Sequence, residues 1–218
     1  MSWSLDLEGA VLHVPGAADS PPASGAVPEG GVHVVACPAN GAAVLVRTCL
    51  GFQPPRDGRV RVCGEEPYLL PRAALQAFRR RVCAWLLPPA LLSNATLHLN
   101  VMLPMLHDPR IAPDTARDRA AEMLERCGIA EWSGVRPSDV PPPVRTRGAL
   151  ARALAPRPQL LLTEDFVARV GHAEMEWIVD LCRERAQTVV IATASAERIS
   201  QLADSVFFLP KGGSLVAS

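Results

Sequence analysis

The chain has 218 residues, 49% hydrophobic and 20% charged, which is enough apolar surface for a packed core and rules out wholesale disorder. Its 22 basic and 22 acidic side chains cancel, which argues against a dedicated nucleic-acid binder, and aromatic residues at 5% leave few platforms for stacking bases or sugars. Among the 22 basic residues Lys211 is the one lysine, so chemistry that needs an earlier lysine is excluded.

Residues 15–30, rich in Pro, Gly, Ala and Ser, read as a loop. Gly31-Val-His-Val-Val-Ala-Cys37 reads as a short buried strand, followed by a turn at 38–41 and a helix from Ala42 to Leu50 that Gly51 closes. Alternation in Arg59-Val60-Arg61-Val62-Cys63, between Gly58 and Gly64, predicts a strand. Residues 72–81 form a basic amphipathic helix ending in Arg79-Arg80-Arg81, and Val82 to Leu87 a buried strand. The stretch from Thr96 to Arg126 is mostly helical, with Ala120, Met123, Leu124 and Cys127 at helical spacing. Three consecutive prolines make residues 136–146 read as irregular, with a helix from Gly148 to Ala155. Gln159 to Thr163 is an apolar strand ending in Glu164-Asp165. A helix at 172–186, a strand at Thr188–Thr193, a helix at 195–202 and strands at Ser205–Leu209 and Ser214–Ala217 complete the chain. Strands alternating with helices predict an α/β fold with a parallel sheet.

The six cysteines, Cys37, Cys49, Cys63, Cys83, Cys127 and Cys182, show no C-x-x-C spacing and sit mostly among apolar neighbours, as buried free thiols of a reducing compartment do. The N-terminus carries acids where a signal peptide needs bases. The longest apolar run, Val82 to Leu92, is 11 residues with two prolines. A membrane-spanning helix needs about 20, so a soluble chain without a membrane span is expected. His13, His33, His98, His107 and His172 are scattered without metal-site spacing, and no metal site is assigned. Arg79 to Arg81 could make a phosphate or lipid-headgroup patch, but a solvated helix end whose charge suits the helix dipole is preferred. Ser195 and His172 suggest a hydrolase, yet no serine sits in a G-x-S-x-G elbow.

From about residue 27 onward the order of segments resembles the nucleotide-binding subunit of an ABC transporter. Gly51-Phe-Gln-Pro-Pro-Arg-Asp-Gly-Arg-Val-Arg-Val-Cys-Gly64 is similar to the stretch that follows the family's P-loop, and Leu91 to Val101 to the segment after its Q-loop. Ala149 to Leu162 is similar to the stretch from the signature helix to the Walker B strand. Thr188 to Thr193 followed by Leu202 to Leu209 is similar to the H-loop strand and its successor. Within the family, Ala149 to Ala153 and Phe166-Val167 lean toward the lipid-transport (Mla/MCE) branch. The resemblance implies a P-loop NTPase-like α/β fold, a mixed sheet with a parallel core, in one domain over 1–218 with a helical subdomain near 95–145.

The functional stations depart from the family's pattern. A P-loop needs glycine amides to cradle phosphates, a lysine for the terminal phosphates and a hydroxyl for Mg²⁺. Here it reads Ala36-Cys37-Pro38-Ala39-Asn40-Gly41-Ala42-Ala43-Val44, with the lysine position at Ala42 or Ala43 and the hydroxyl position at Ala43 or Val44. The Q-loop glutamine falls at Leu87, the signature at Val140-Pro141-Pro142-Pro143-Val144, the H-loop histidine at Ala194 and the D-loop aspartate near Val170-Gly171. The Walker B pair stands reversed as Glu164-Asp165, and a solvated strand end is preferred for it over a surviving metal site.

The resemblance therefore implies an inactive ABC ATPase-type subunit with no catalytic residue and no cofactor expected. It would act as a structural or regulatory part of a transport complex, peripheral to the inner membrane on the cytoplasmic side. Its partners would be a membrane permease subunit, another ABC subunit or both, met through Leu91, Leu92, Leu97, Met102 and Met105. The alternative is an ATP-binding subunit of unusual chemistry that uses ATP and Mg²⁺ to power transport.

Overall fold

The computed structural model describes residues 2–13, 19–38, 41–164 and 166–209, with the backbone of 213–214 and 216–217. The elements in chain order are β1 (Trp3–Val11), β2 (Ala23–Pro28), β3 (Gly31–Ala36), α1 (Gly41–Cys49), β4 (Asp57–Val62), α2 (Arg72–Arg81) and β5 (Val82–Trp85). The helices α3 (Leu97–Leu106), α4 (Pro113–Arg126) and α5 (Pro142–Leu154) follow. Then come β6 (Leu160–Glu164), α6 (His172–Arg185), β7 (Thr188–Thr193), β8 (Ser205–Phe208), β9 (Gly213–Ser214) and β10 (Val216–Ala217).

One sheet runs β10-β8-β3-β7-β6-β5, with β8, β3, β7, β6 and β5 parallel and β10 antiparallel at the edge. Every residue of β6 and β7 is buried, as a strand covered on both faces requires, and this is why both appear in the sequence as unbroken apolar runs. One face packs on α3 to α6 through Leu161, Val189 and Ile191, and the other on α1 and a second sheet through Leu160, Leu162 and Val190. The second sheet has the order β4-β1-β2-β9. In β1, Leu5 and Leu7 face inward while Asp6 and Glu8 face outward, and both acids meet Arg61 of β4. Gly51 follows α1 at φ +70°, where a Cβ would stand 2.8 Å from the Pro67 carbonyl oxygen.

Several local expectations change. The loop expected over 15–30 contains β2, and β1 precedes it. The small residues of β2 have little strand propensity of their own, and antiparallel pairing with β1 holds them extended. Residues 136–146 are not irregular throughout, because α5 starts at Pro142. A proline in the first turn removes an N–H that has no intrahelical acceptor, and its fixed φ suits the helix, so Pro141 to Pro143 begin the helix. The helix expected at 195–202 is two 3-10 turns, 196–198 and 200–202, that bury Ala196 and Ile199. The strand expected at 82–87 stops at Trp85, and the one expected at 214–217 is divided between the two sheets.

Helices α3, α4 and α5 pack together through Leu97, Val101, Met105, Ala120, Met123 and Leu150, all buried. The buried Asn100 ties the preceding loop to α3. Its Nδ2 donates to the carbonyls of Leu92 (3.0 Å), Ala95 (3.1 Å) and Thr96 (3.0 Å), and its Oδ1 accepts from the Leu92 N–H (2.7 Å).

Burial raises the thiol pKa of Cys83 and Cys127 to about 12 and of Cys63 to about 11, and pushes Cys49 and Cys182 up further. The reactive thiolate is therefore scarce near neutrality. Iodoacetamide at pH 8 is expected to leave Cys49, Cys127 and Cys182 unmodified in the folded chain and to label them in urea. Mass spectrometry checks this, and labelling of these three in the folded chain at the rate seen in urea would contradict it.

Candidate functional site

Ligands of open α/β sheets gather at the carboxyl ends of the strands, and most of the motif positions meet there. The chain leaves β3 through Cys37 and Pro38 and enters α1 at Gly41, so a strand leads to a helix as the P-loop resemblance implies. Ala39 and Asn40 lie outside the described residues. The Cys37 N–H donates to the Thr193 carbonyl at 2.8 Å, and the Gly41 N–H to the Pro38 carbonyl at 2.9 Å. Both amides are thus engaged within the protein, and Pro38 has none. Ala42 and Val44 are buried and Ala43 half-buried in the first turns of α1. Beside this loop lies a cavity of about 530 Å³ bounded by Ala36, Pro38, Ala194, Glu197 and Phe208. The P-loop and H-loop positions are therefore neighbours, and the walls they contribute are apolar.

Leu87 and Glu164 also come together. Glu164 ends β6, buried, and its Oε1 accepts from the Leu87 N–H at 3.1 Å. Its Oε2 is buried without a hydrogen-bond partner among the described residues. Glu164 is therefore an interior acid, not the solvated strand end expected, because β5 and β6 run parallel and bring the segment after β5 over the carboxylate. Asp165 lies outside the described residues.

In the signature segment Val140 is buried, Pro141, Pro142 and Pro143 are exposed at the start of α5, and Val144 is half-buried. A helix N-terminus ordinarily offers free amide donors to an anion, but here Pro142 and Pro143 have no N–H to offer. Between this segment and Leu87 lies a second cavity, about 440 Å³, walled by Trp85, Pro142, Phe166, Arg169 and Trp177. Arg147 stands 5.0 Å over the Trp177 ring and donates to Glu174 Oε1 at 3.2 Å, which fixes one rim. Among the described residues no cluster of three or more His, Cys, Asp or Glu could hold a metal ion.

The five residues expected to meet a partner divide between two faces of the same segment. Leu97 and Met105 are fully buried and cannot line a groove. They belong to the inner stripe of α3, with Asn100 and Val101 at helical spacing. Met102 and Leu91 are half-buried and Leu92 is 46% exposed. On the outer stripe Leu99, 39% exposed, and Leu106, 38% exposed, stand one turn before and after Met102. Both lie outside the five expected residues, although their spacing along α3 carries the signal.

Solved structures share this architecture. Over 98% of the chain and 97% of the other, it superposes on a dimeric ATP-binding cassette, MJ0796, in a post-hydrolysis state bound to ADP and Pi, with a TM-score of 0.80 and 19% identity. It also matches cbiO1 from Clostridium perfringens, part of the ABC transporter complex cbiONQ, over 99% of the chain and 88% of the other, with a TM-score of 0.78 and 19% identity. The chain has the fold of an ABC transporter ATP-binding domain. The chain is 32% identical over 183 residues to a methionine import ATP-binding protein MetN of Caulobacter vibrioides, covering 82% of this chain and 55% of the relative. With the MetN of Thermobifida fusca it shares 30% identity over 191 residues, covering 85% of this chain and 59% of the relative. It thus spans a little over half the length of these relatives. No family model matches the sequence. Among the described residues no helix of the chain is long and apolar enough to cross a membrane.

Proposed function

We propose that this cassette is a non-hydrolysing member of an ABC transport complex, held on the cytoplasmic face of a membrane by a permease subunit, a second ABC subunit or both. The observation that carries the reading is the turn from β3 into α1. Where Mg-ATP needs a lysine and a hydroxyl, the start of α1 offers Ala42, Ala43 and Val44, and the loop amides of Cys37 and Gly41 are already engaged. Mg²⁺ would find Glu164, one of whose oxygens is held by Leu87, and no serine or threonine at the head of α1. The residues present do not fit Mg-ATP.

ABC nucleotide sites are composite, each closing the loop of one chain on the signature of another. This chain offers neither half, since its signature segment begins α5 with prolines. In the proposed role it acts as one domain, with the helical subdomain near 95–145 presenting the partner surface. That surface is the outer stripe of α3, where Leu99, Met102 and Leu106 continue the exposed Leu92. A helix apolar on its outer face as well as its inner one has a second neighbour to meet.

Leu99→Asp and Leu106→Asp should each abolish co-purification with a membrane permease subunit while leaving the thermal midpoint within a few degrees, because surface changes cost about 0.5 kcal/mol or less. Retention of the permease by both variants at the level of the unsubstituted chain would reject the docking surface.

A second reading, an ATP-fuelled import subunit, is favoured by the relatives, whose names record ATP binding and methionine import. In that reading the cargo is a small polar solute and not the lipid suggested by Ala149–Ala153 and Phe166-Val167. Nucleotide binding by the purified chain separates the two readings.

A further inference from the structure

At the sheet edge opposite the β3–α1 loop, the amino ends of β5 and β6 border a cavity of about 640 Å³. Its wall carries five arginines, Arg79, Arg80, Arg81, Arg110 and Arg157, against a single acid, Asp108. The arginines come from the last turn of α2, the turn after α3 and the turn after α5, so the fold gathers charges that are far apart in sequence.

Helix ends account for part of this charge. Helices α2, α3 and α5 all finish here, each with about half a negative charge on its terminal carbonyls. Arg79 shows such a use, since its Nε donates to the Leu50 carbonyl just past α1 at 2.9 Å while its guanidinium lies 4.2 Å over the Phe52 ring. Acids account for another part. Arg81 pairs with Glu65, and Arg110 grips Asp108 through two bonds of 2.9 and 2.7 Å. Among the described residues Arg79, Arg80 and Arg157 have no carboxylate within ion-pair distance; with Arg79 engaged at the end of α1, Arg80 and Arg157 meet only the helix ends and the longer-range field of Asp108 and Glu122. Arg157 also sits at φ +56° just past α5, a conformation that glycine takes without strain.

We propose that this cavity binds a compact polyanion carrying two or more phosphate groups, at a site separate from the β3–α1 loop. Guanidinium forks match phosphate oxygens in pairs. Gln159 turns its Oε1 to Arg81 at 3.3 Å, which leaves its NH₂ group as a further donor. Among the described residues no Phe, Tyr or Trp lines the cavity and His107 brings its one ring, so recognition falls chiefly to the anionic groups.

The test is calorimetric titration of the full chain with sodium tripolyphosphate, without Mg²⁺ and at low salt, followed by hydrogen exchange of the complex. Saturable one-site binding is expected, with slowed exchange at 79–83 and 107–111. Arg80→Gln and Arg157→Gly should each weaken it about tenfold or more. Arg157→Gly removes the guanidinium and relieves the backbone at once, so a loss in that variant does not come from unfolding. Citrate, with carboxylates in place of phosphates, should bind more weakly than tripolyphosphate. Absence of saturable binding, unchanged affinity in both variants, equal binding of citrate, or protection confined to 36–44 would each overturn the proposal.

Discussion

Leu97→Asp is expected to abolish the cooperative unfolding transition at 25 °C, while Leu99→Asp, two residues along the same helix, leaves it nearly in place. Leu97 is fully buried against α5, where a Cβ added at Gly148 would stand 3.1 Å from Leu97 Cδ2, so no space exists for water to follow a charge inward. Losing the leucine costs about 2–5 kcal/mol in transfer and cavity terms. A carboxylate left there without a partner adds several kcal/mol more, or takes up a proton to escape part of it. Domains of this size are stable by about 5–15 kcal/mol, so the sum reaches the whole margin. Leu99 points outward from the same turn and gives up little. Urea titration followed by circular dichroism checks the pair, and equal shifts in the two variants would contradict the division of α3 into an inner and an outer stripe.

Mg-ATP is expected to bind at about 1 mM or weaker. The lysine and hydroxyl of an intact phosphate loop each make charge-assisted contacts of about 1.5–3 kcal/mol. Losing both removes about two to four factors of ten at about 1.4 kcal/mol each. What remains is the N-terminus of α1, where the helix dipole favours an anion by about 0.3–1 kcal/mol at low ionic strength. The residual attraction should fade as salt is added, as a dipole contact does and a built site does not. Phosphate release by the purified chain should stay at the level of a blank, and turnover well above the blank would contradict this account of the loop.

Much of the fold is legible because β3, β6 and β7 are covered on both faces and therefore appear as largely apolar runs, with His33 the interruption in β3. The pair β1 and β2 is not, although Leu5 and Leu7 alternate with Asp6 and Glu8, because Gly9 interrupts the pattern and Ala-Ser-Gly-Ala in β2 carries almost no strand signal before its partner supplies one. The prolines at 141–143 mislead for a different reason. They break a helix interior but suit its first turn, and nothing local says which position they hold. In the candidate site, the neighbourhood of Ala36, Pro38 and Ala194 follows from the order of segments. The Leu87 to Glu164 bond joins positions far apart in the chain and has no local signature. Leu97 and Met105 can be told from Leu99 and Leu106 once the helix start is fixed, and Thr96 fixes it by accepting the Leu99 N–H at 3.2 Å. Arg79 to Arg81 stand out in the sequence, but only the fold sets Arg110 and Arg157 beside them.

The central proposal is that this chain, with the ABC fold, serves assembly while its β3–α1 loop does not hold Mg-ATP. Isothermal titration of the full chain with Mg-ATP at moderate salt tests it most directly. The account predicts no saturable heat below about 1 mM nucleotide. A one-site isotherm with a micromolar dissociation constant, abolished by changes at Ala42 or Ala43 and unaffected by changes at Arg80, would contradict it.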